Sequence, residues 1–168
     1  MRTFQSLLLA GVVGLMILAC SKDKTVTPIA DINGAFLAGA KGSSKNWQLS
    51  SGTAIPNGGQ EQTLSLDACF LDNIFKFTNN TTQDYENTEG LSKCYSTDST
   101  LVEKGSWAFT SDGKTLLIDG TSYSPQNLFT GIGVSVIVLQ LTDTNMKLSF
   151  TTNGSSGTVV YYLNFVKA

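Results

Sequence analysis

Residues 145–166 read NMKLSFTTNGSSGTVVYYLNFV. Met146, Leu148 and Phe150 alternate with Lys147 and Ser149, a period of two that puts the apolar side chains on one face of a strand. After Asn153-Gly154 the chain alternates again. Val159, Tyr161, Leu163 and Phe165 share one face, and Val160, Tyr162 and Val166 share the other. Asn-Gly accepts the positive φ that a tight reversal needs, so the stretch reads as an antiparallel hairpin.

The same pattern extends toward the N-terminus. Strands are predicted over 46–51, 73–78, 83–87, 105–110, 114–119, 134–141, 145–152 and 158–166. Asn79-Asn80, Asp112-Gly113 and Asp143-Thr144-Asn145 supply further reversals. Short links make sequential strands antiparallel. Eight such strands hide their edges by closing on themselves. The fold class is therefore all-β, an eight-stranded antiparallel up-and-down barrel, with a two-sheet sandwich as the alternative. The gaps 52–72 and 120–131 are expected to be rim loops. One short helix is expected over 31–40.

Of the 168 residues, 41% are hydrophobic and 14% charged, a balance that argues against a disordered chain. The net charge of -2 offers no basic footprint for nucleic acid. Histidine is absent, which removes Ser-His and Cys-His nucleophile pairs, a His general base and His-ligated zinc. The expectation is a non-enzymatic monomer without cofactor, metal site or catalytic residues.

Residues 1–19 carry a different signal. Arg2 is followed by an uncharged apolar run from Leu7 to Ala19, 13 residues long. That is shorter than the roughly 20 residues a membrane span requires and fits the apolar core of a secretory signal peptide. The run ends in Ile17-Leu18-Ala19-Cys20, which resembles the bacterial lipobox. The resemblance implies cleavage before Cys20 and lipidation of its thiol, giving an outer-membrane, lipid-anchored protein on the periplasmic face or at the cell surface. Ser21-Lys22-Asp23-Lys24 resembles in part the surface-export signal of Bacteroidetes lipoproteins. Residues 20–42 read as the lipidated N-terminus and tether, and 43–168 as the barrel domain. In an oxidising compartment the two remaining cysteines, Cys69 and Cys94, are expected to form one disulfide stapling the open end of the 73–87 hairpin, with two free thiols as the alternative.

An ordered set of short elements resembles the lipocalin-like lipoproteins of Bacteroidetes. It comprises Trp47-Gln48-Leu49, Cys69 and Asp72 ahead of Ile74-Phe75-Lys76-Phe77, then Cys94, Gly105-Ser106-Trp107, Asp112-Gly113-Lys114 and Leu141-Thr142-Asp143-Thr144. The resemblance implies a lipocalin-like barrel.

Trp47, Phe75, Phe77, Trp107, Phe109, Phe150 and Tyr161 are the candidate lining of a barrel interior that holds a small apolar ligand. Packing of these rings into a filled core is the alternative. The competing functional reading is a surface module that binds protein or glycan through its loops. Asp98-Ser99-Thr100 resembles an O-glycosylation triplet of exported Bacteroidetes proteins, with Ser99 as the acceptor. Gly34 to Lys41 only approaches a phosphate loop, because Ala40 separates Gly39 from Lys41. Ser111 to Lys114 matches Ser-x-x-Lys but falls on a hairpin turn. Asp72, Asp84, Glu86 and Glu89 read as solvated charge, since the spacing of a calcium loop is not met.

Overall fold

The structure, a computed structural model, describes residues 27–132 and 135–168. Cys20, the segment 1–19 read as a signal peptide, the export-signal stretch Ser21–Lys24 and Val134 lie outside them.

The chain runs α1 (Ile29–Ala38), β1 (Ser44–Pro56), β2 (Gln62–Thr63), α2 (Ala68–Leu71), β3 (Ile74–Thr78), β4 (Asp84–Thr88), β5 (Leu101–Phe109), β6 (Thr115–Ser122), α3 (Phe129–Ile132), β7 (Ser135–Leu141), β8 (Asn145–Gly154) and β9 (Gly157–Lys167). From β3 onward each strand pairs antiparallel with its successor, and β1 pairs with both β3 and β9. The β1–β9 ladder, from Trp47↔Lys167 to Pro56↔Val159, closes an eight-stranded barrel and excludes the sandwich. The two residues of β2 add a short ninth strand beside Thr53 and Ala54 of β1.

The pleat sets which residues fill the barrel. Trp47 and Leu49 point inward from β1, Phe75 and Phe77 from β3, Met146, Leu148 and Phe150 from β8, and Leu163 and Phe165 from β9. A bulge between Leu49 and Ser51 lets β1 bend while Gly52 and Ala54 keep facing inward. In β7 only one apolar face is covered: Val136 is buried, whereas Ile137 and Leu139 are about half exposed.

The two ends of the barrel differ. At one end the turns are short and α1 closes the opening. Pro28 precedes its first turn, and Gly39 ends it at φ 88°, a left-handed conformation suited to glycine. Leu37 and Ala38 are fully buried, Trp47 Nε1 donates to the Leu37 carbonyl at 2.8 Å, and a Cβ on Gly34 would sit 3.4 Å from the Trp107 ring. The folded domain therefore starts at α1, inside the stretch expected to be tether. At the other end lie the segments 57–73, 89–100, 123–132 and 155–156.

Several boundaries move from the sequence expectation. Residues 52–56 continue β1, because β9 is long enough to pair with them. The rest of the first gap holds β2 and α2, and β6 runs on to Ser122 before α3. The β3–β4 reversal spans residues 79–83 rather than Asn79-Asn80 alone. Asn80 and Thr82 bond the Asp84 side chain across it, and Gln83 takes φ 52°.

Candidate functional site

Most of the predicted aromatic lining lies in close-packed core. Trp47, Phe75 and Phe77 are fully buried and Trp107 is 3% exposed. The space among them is taken by Phe129 of α3, whose ring centroid lies 5.9 Å from Phe75, 6.4 Å from Phe77, 5.4 Å from Tyr85 and 6.3 Å from Phe165. The first three contacts are edge-to-face, the arrangement favoured by ring quadrupoles. The segment expected to be a rim loop thus turns into the barrel and fills it.

Glu103 of β5 holds that segment in place. Its side chain is fully buried. Oε1 accepts from Tyr85 Oη (2.6 Å), Asn87 Nδ2 (3.2 Å) and the backbone N–H groups of Leu128 (3.1 Å) and Phe129 (3.3 Å). Oε2 accepts from the Thr130 N–H and hydroxyl, both at 2.9 Å. Of these six donors, three are the backbone N–H groups of Leu128, Phe129 and Thr130 at the start of α3, which have no partner within the helix. Burial, and next the neighbouring Glu103, push the Tyr85 phenol well above its ordinary range, so it stays a donor.

Above this plug, at the open end, lies an apolar cleft of about 290 Å³. Leu49, Phe150, Tyr161 and Leu163 line it from the barrel wall, Leu64, Leu66 and Phe70 from the 57–73 segment, and Leu128 from the approach to α3. Phe150 and Tyr161 stack with centroids 4.9 Å apart and planes 13° from parallel. Among the described residues, Thr152 supplies the only hydroxyl besides the Tyr161 phenol, and no charged side chain lines it. Ligand pockets begin at roughly 300 Å³, so this cleft suits a small molecule or one chain of a larger one. Of the seven aromatic residues expected to line a ligand site, Phe150 and Tyr161 do so here. Trp47, Phe75, Phe77 and Trp107 pack in the core, and Phe109 lies against Trp107 with centroids 5.9 Å apart. The leucines from 57–73 were missed, although Thr63-Leu64-Ser65-Leu66 already alternates.

The Cys69–Cys94 disulfide, with Cα atoms 5.2 Å apart, ties α2 to the 89–100 segment beside this cleft. The register Ile74↔Thr88 and Phe77↔Tyr85 centres the reversal on Thr81, 12 residues from Cys69 and 13 from Cys94. The five-residue turn thus supplies most of the offset that a two-residue turn would have left to a bulge. Gly90 fits the same corner, where a Cβ would collide with the Asp72 carbonyl. Within 89–100, Ser99 is exposed while Asp98 is 8% exposed. Asp98 Oδ2 accepts from the Tyr95 N–H at 2.9 Å and Gln126 Nε2 at 3.0 Å.

Glu89 departs from the solvated reading. It is 6% exposed and neither carboxyl oxygen has a hydrogen-bond partner. Burial, with Asp98 and then Asp72 adding repulsion, pushes its carboxyl above the ordinary range. Among the described residues, no three His, Cys, Asp or Glu side chains converge to hold a metal.

A larger cleft, about 510 Å³, lies at the α1 end and includes Asp31, Lys41, Asn79 and Asn80. Two of its amides are engaged within the fold, Asn79 Nδ2 with the Gly39 carbonyl and Asn80 with Asp84.

Fold and cleft together define a class: a small closed antiparallel barrel, helix-capped at one end, filled at its centre and apolar at its mouth. No protein-family profile matches the chain, and no curated protein is similar to it in sequence.

Proposed function

We propose that the chain is an exported lipoprotein of the lipocalin-like kind, anchored to the outer membrane through Cys20, whose barrel mouth binds a small apolar ligand. The observation that carries this reading is the cleft of about 290 Å³ walled by eight apolar or aromatic side chains. Leu128, whose N–H is held by Glu103, lines it ahead of α3, and Phe70 lines it next to Cys69 of the Cys69–Cys94 bond. The ligand sits at the mouth, above the filled centre. This is a binding role, carried out by a monomer.

The barrel and α1 are complete within residues 29–167, so a chain starting at Ser21 carries the whole fold. Titration of that chain with N-phenyl-1-naphthylamine, an uncharged dye that brightens in apolar surroundings, tests the proposal. Saturable one-site binding that is abolished by Phe150→Asp in a folded variant supports it. A linear, unsaturable signal, or binding unaltered by Phe150→Asp, overturns it and favours a module working through its loop surfaces.

A further inference from the structure

The apolar cleft adjoins a second cleft of about 220 Å³, with Leu66 and Phe70 lining both. In the second cleft the wall turns polar, with Asp67 and Gln126 among its lining residues. Gln126 Nε2 is engaged by Asp98, which leaves its Oε1 buried without a donor. The same imbalance recurs around this end. Among the described residues, the buried side-chain polar atoms without partners are acceptors on Asp72, Asn87, Glu89, Gln126 and Asn127, and one donor, Asn73 Nδ2. Buried acceptors without donors are costly, and a ligand that brings N–H groups relieves that cost.

Charge points the same way. The segments at this end carry five carboxylates, Glu61, Asp67, Asp72, Glu89 and Asp98, against a single cation, Lys93. Lys93 Nζ is already donating to the Asp98 carbonyl at 2.6 Å. One-signed charge around a cleft with low-dielectric walls concentrates ligands of the opposite sign.

Building on the ligand-binding reading above, we infer that the mouth selects a single-chain amphiphile with a protonated amine head. The alkyl chain lies in the apolar cleft and the ammonium lies at the Asp67–Gln126 wall. A fatty-acid carboxylate meets an acceptor-rich, negatively charged rim and is disfavoured.

The test uses the Ser21–Ala168 chain loaded with N-phenyl-1-naphthylamine at low ionic strength and pH 7. Dodecylamine, dodecanol and dodecanoate are each added below their aggregation thresholds. Dodecylamine is expected to displace the dye at a concentration at least about tenfold lower than dodecanoate, with dodecanol between them. The gap is expected to shrink in high salt, because rim charges are screened, and to narrow in Asp67→Asn. Dodecanoate displacing the dye as well as dodecylamine does, or a gap indifferent to both salt and Asp67→Asn, overturns the inference while leaving the ligand-binding reading intact. If the dye itself fails to bind saturably, both fall.

Discussion

Glu103→Gln is the sharpest test of the filled barrel. The substitution keeps shape and volume but replaces an acceptor-only carboxylate with a group that has one acceptor and one NH₂. Oε1 serves four donors and Oε2 serves two, so the amide oxygen is expected at the Oε1 position and the NH₂ opposite Thr130. The Thr130 hydroxyl can rotate to accept from it. The Thr130 N–H cannot, and it is left facing another donor. One charge-assisted bond is lost outright, at about 1.5–3 kcal/mol, and the remaining bonds weaken as their acceptor loses its charge. The expected destabilisation is roughly 3–5 kcal/mol, as for other buried charged networks that lose a member. With a urea m-value of about 2 kcal/mol/M, the unfolding midpoint falls by about 2 M. Urea denaturation followed by tryptophan fluorescence reads this directly. Amide exchange localises it, because Leu128, Phe129 and Thr130 are expected to lose protection before β8 and β9 do. A loss below about 1 kcal/mol with unchanged exchange at those three amides would refute the role of Glu103 in holding α3 inside the barrel.

Trp107→Ala removes a ring that packs on α1 and donates to the Thr78 carbonyl, and is expected to cost about 3–5 kcal/mol in denaturant unfolding; a near-neutral result would contradict the packing described. Replacing Cys69 and Cys94 together by Ala opens a 26-residue loop and is expected to cost about 3.5 kcal/mol, with both peptides appearing linked in a non-reducing map of the parent protein. Stability is expected to rise as pH falls from neutral through the raised Glu89 titration, because the folded state holds a proton there that the unfolded chain releases. Below the ordinary carboxylate range stability then falls, as Asp84, Asp112 and Asp143, each lowered first by a side-chain hydrogen bond, take up protons; a Glu89→Gln profile that keeps the upper rise would assign it elsewhere. Blocking the lipoprotein peptidase with globomycin is expected to accumulate uncleaved precursor, and Cys20→Ala to yield protein that no longer partitions into detergent; if neither occurs, Cys20 is not the anchor.

The strand grammar was legible because one barrel face is dry and the other wet, so alternation survives in Phe75-Lys76-Phe77 and Met146-Lys147-Leu148. The Cys69–Cys94 pairing was legible for a related reason: a hairpin places the flanks of its two strands together. What stayed hidden breaks the local rules. In Leu101–Phe109, Val102 and Glu103 are adjacent and both buried, because a segment some 25 residues later folds over Glu103 and supplies its donors. A lone glutamate between Val102 and Lys104 carries no local sign of six donors. Phe129 likewise sits in a stretch, 120–131, with no apolar alternation around it, and only the closed barrel gives it a place to go. The cleft combines wall residues from β1, β8 and β9 with leucines from 57–73, a convergence across about 100 residues that no short window contains.

The β1–β9 ladder has a consequence in time. The partner that closes β1 is the last strand of the ring to be made, so β1 waits with one edge open until residues 157–167 arrive. Closing the ring joins residues as distant in sequence as Trp47 and Lys167, and such distant pairings slow folding. Until then the inward faces of β1 and β8 are exposed, and both are strands able to pair with a neighbouring molecule. Loss of Gly157–Lys167 would therefore do more than remove one strand: it would leave two open edges, on β1 and β8, where the finished ring has none. A chain ending just before Gly157 is expected to aggregate more readily than one that includes β9.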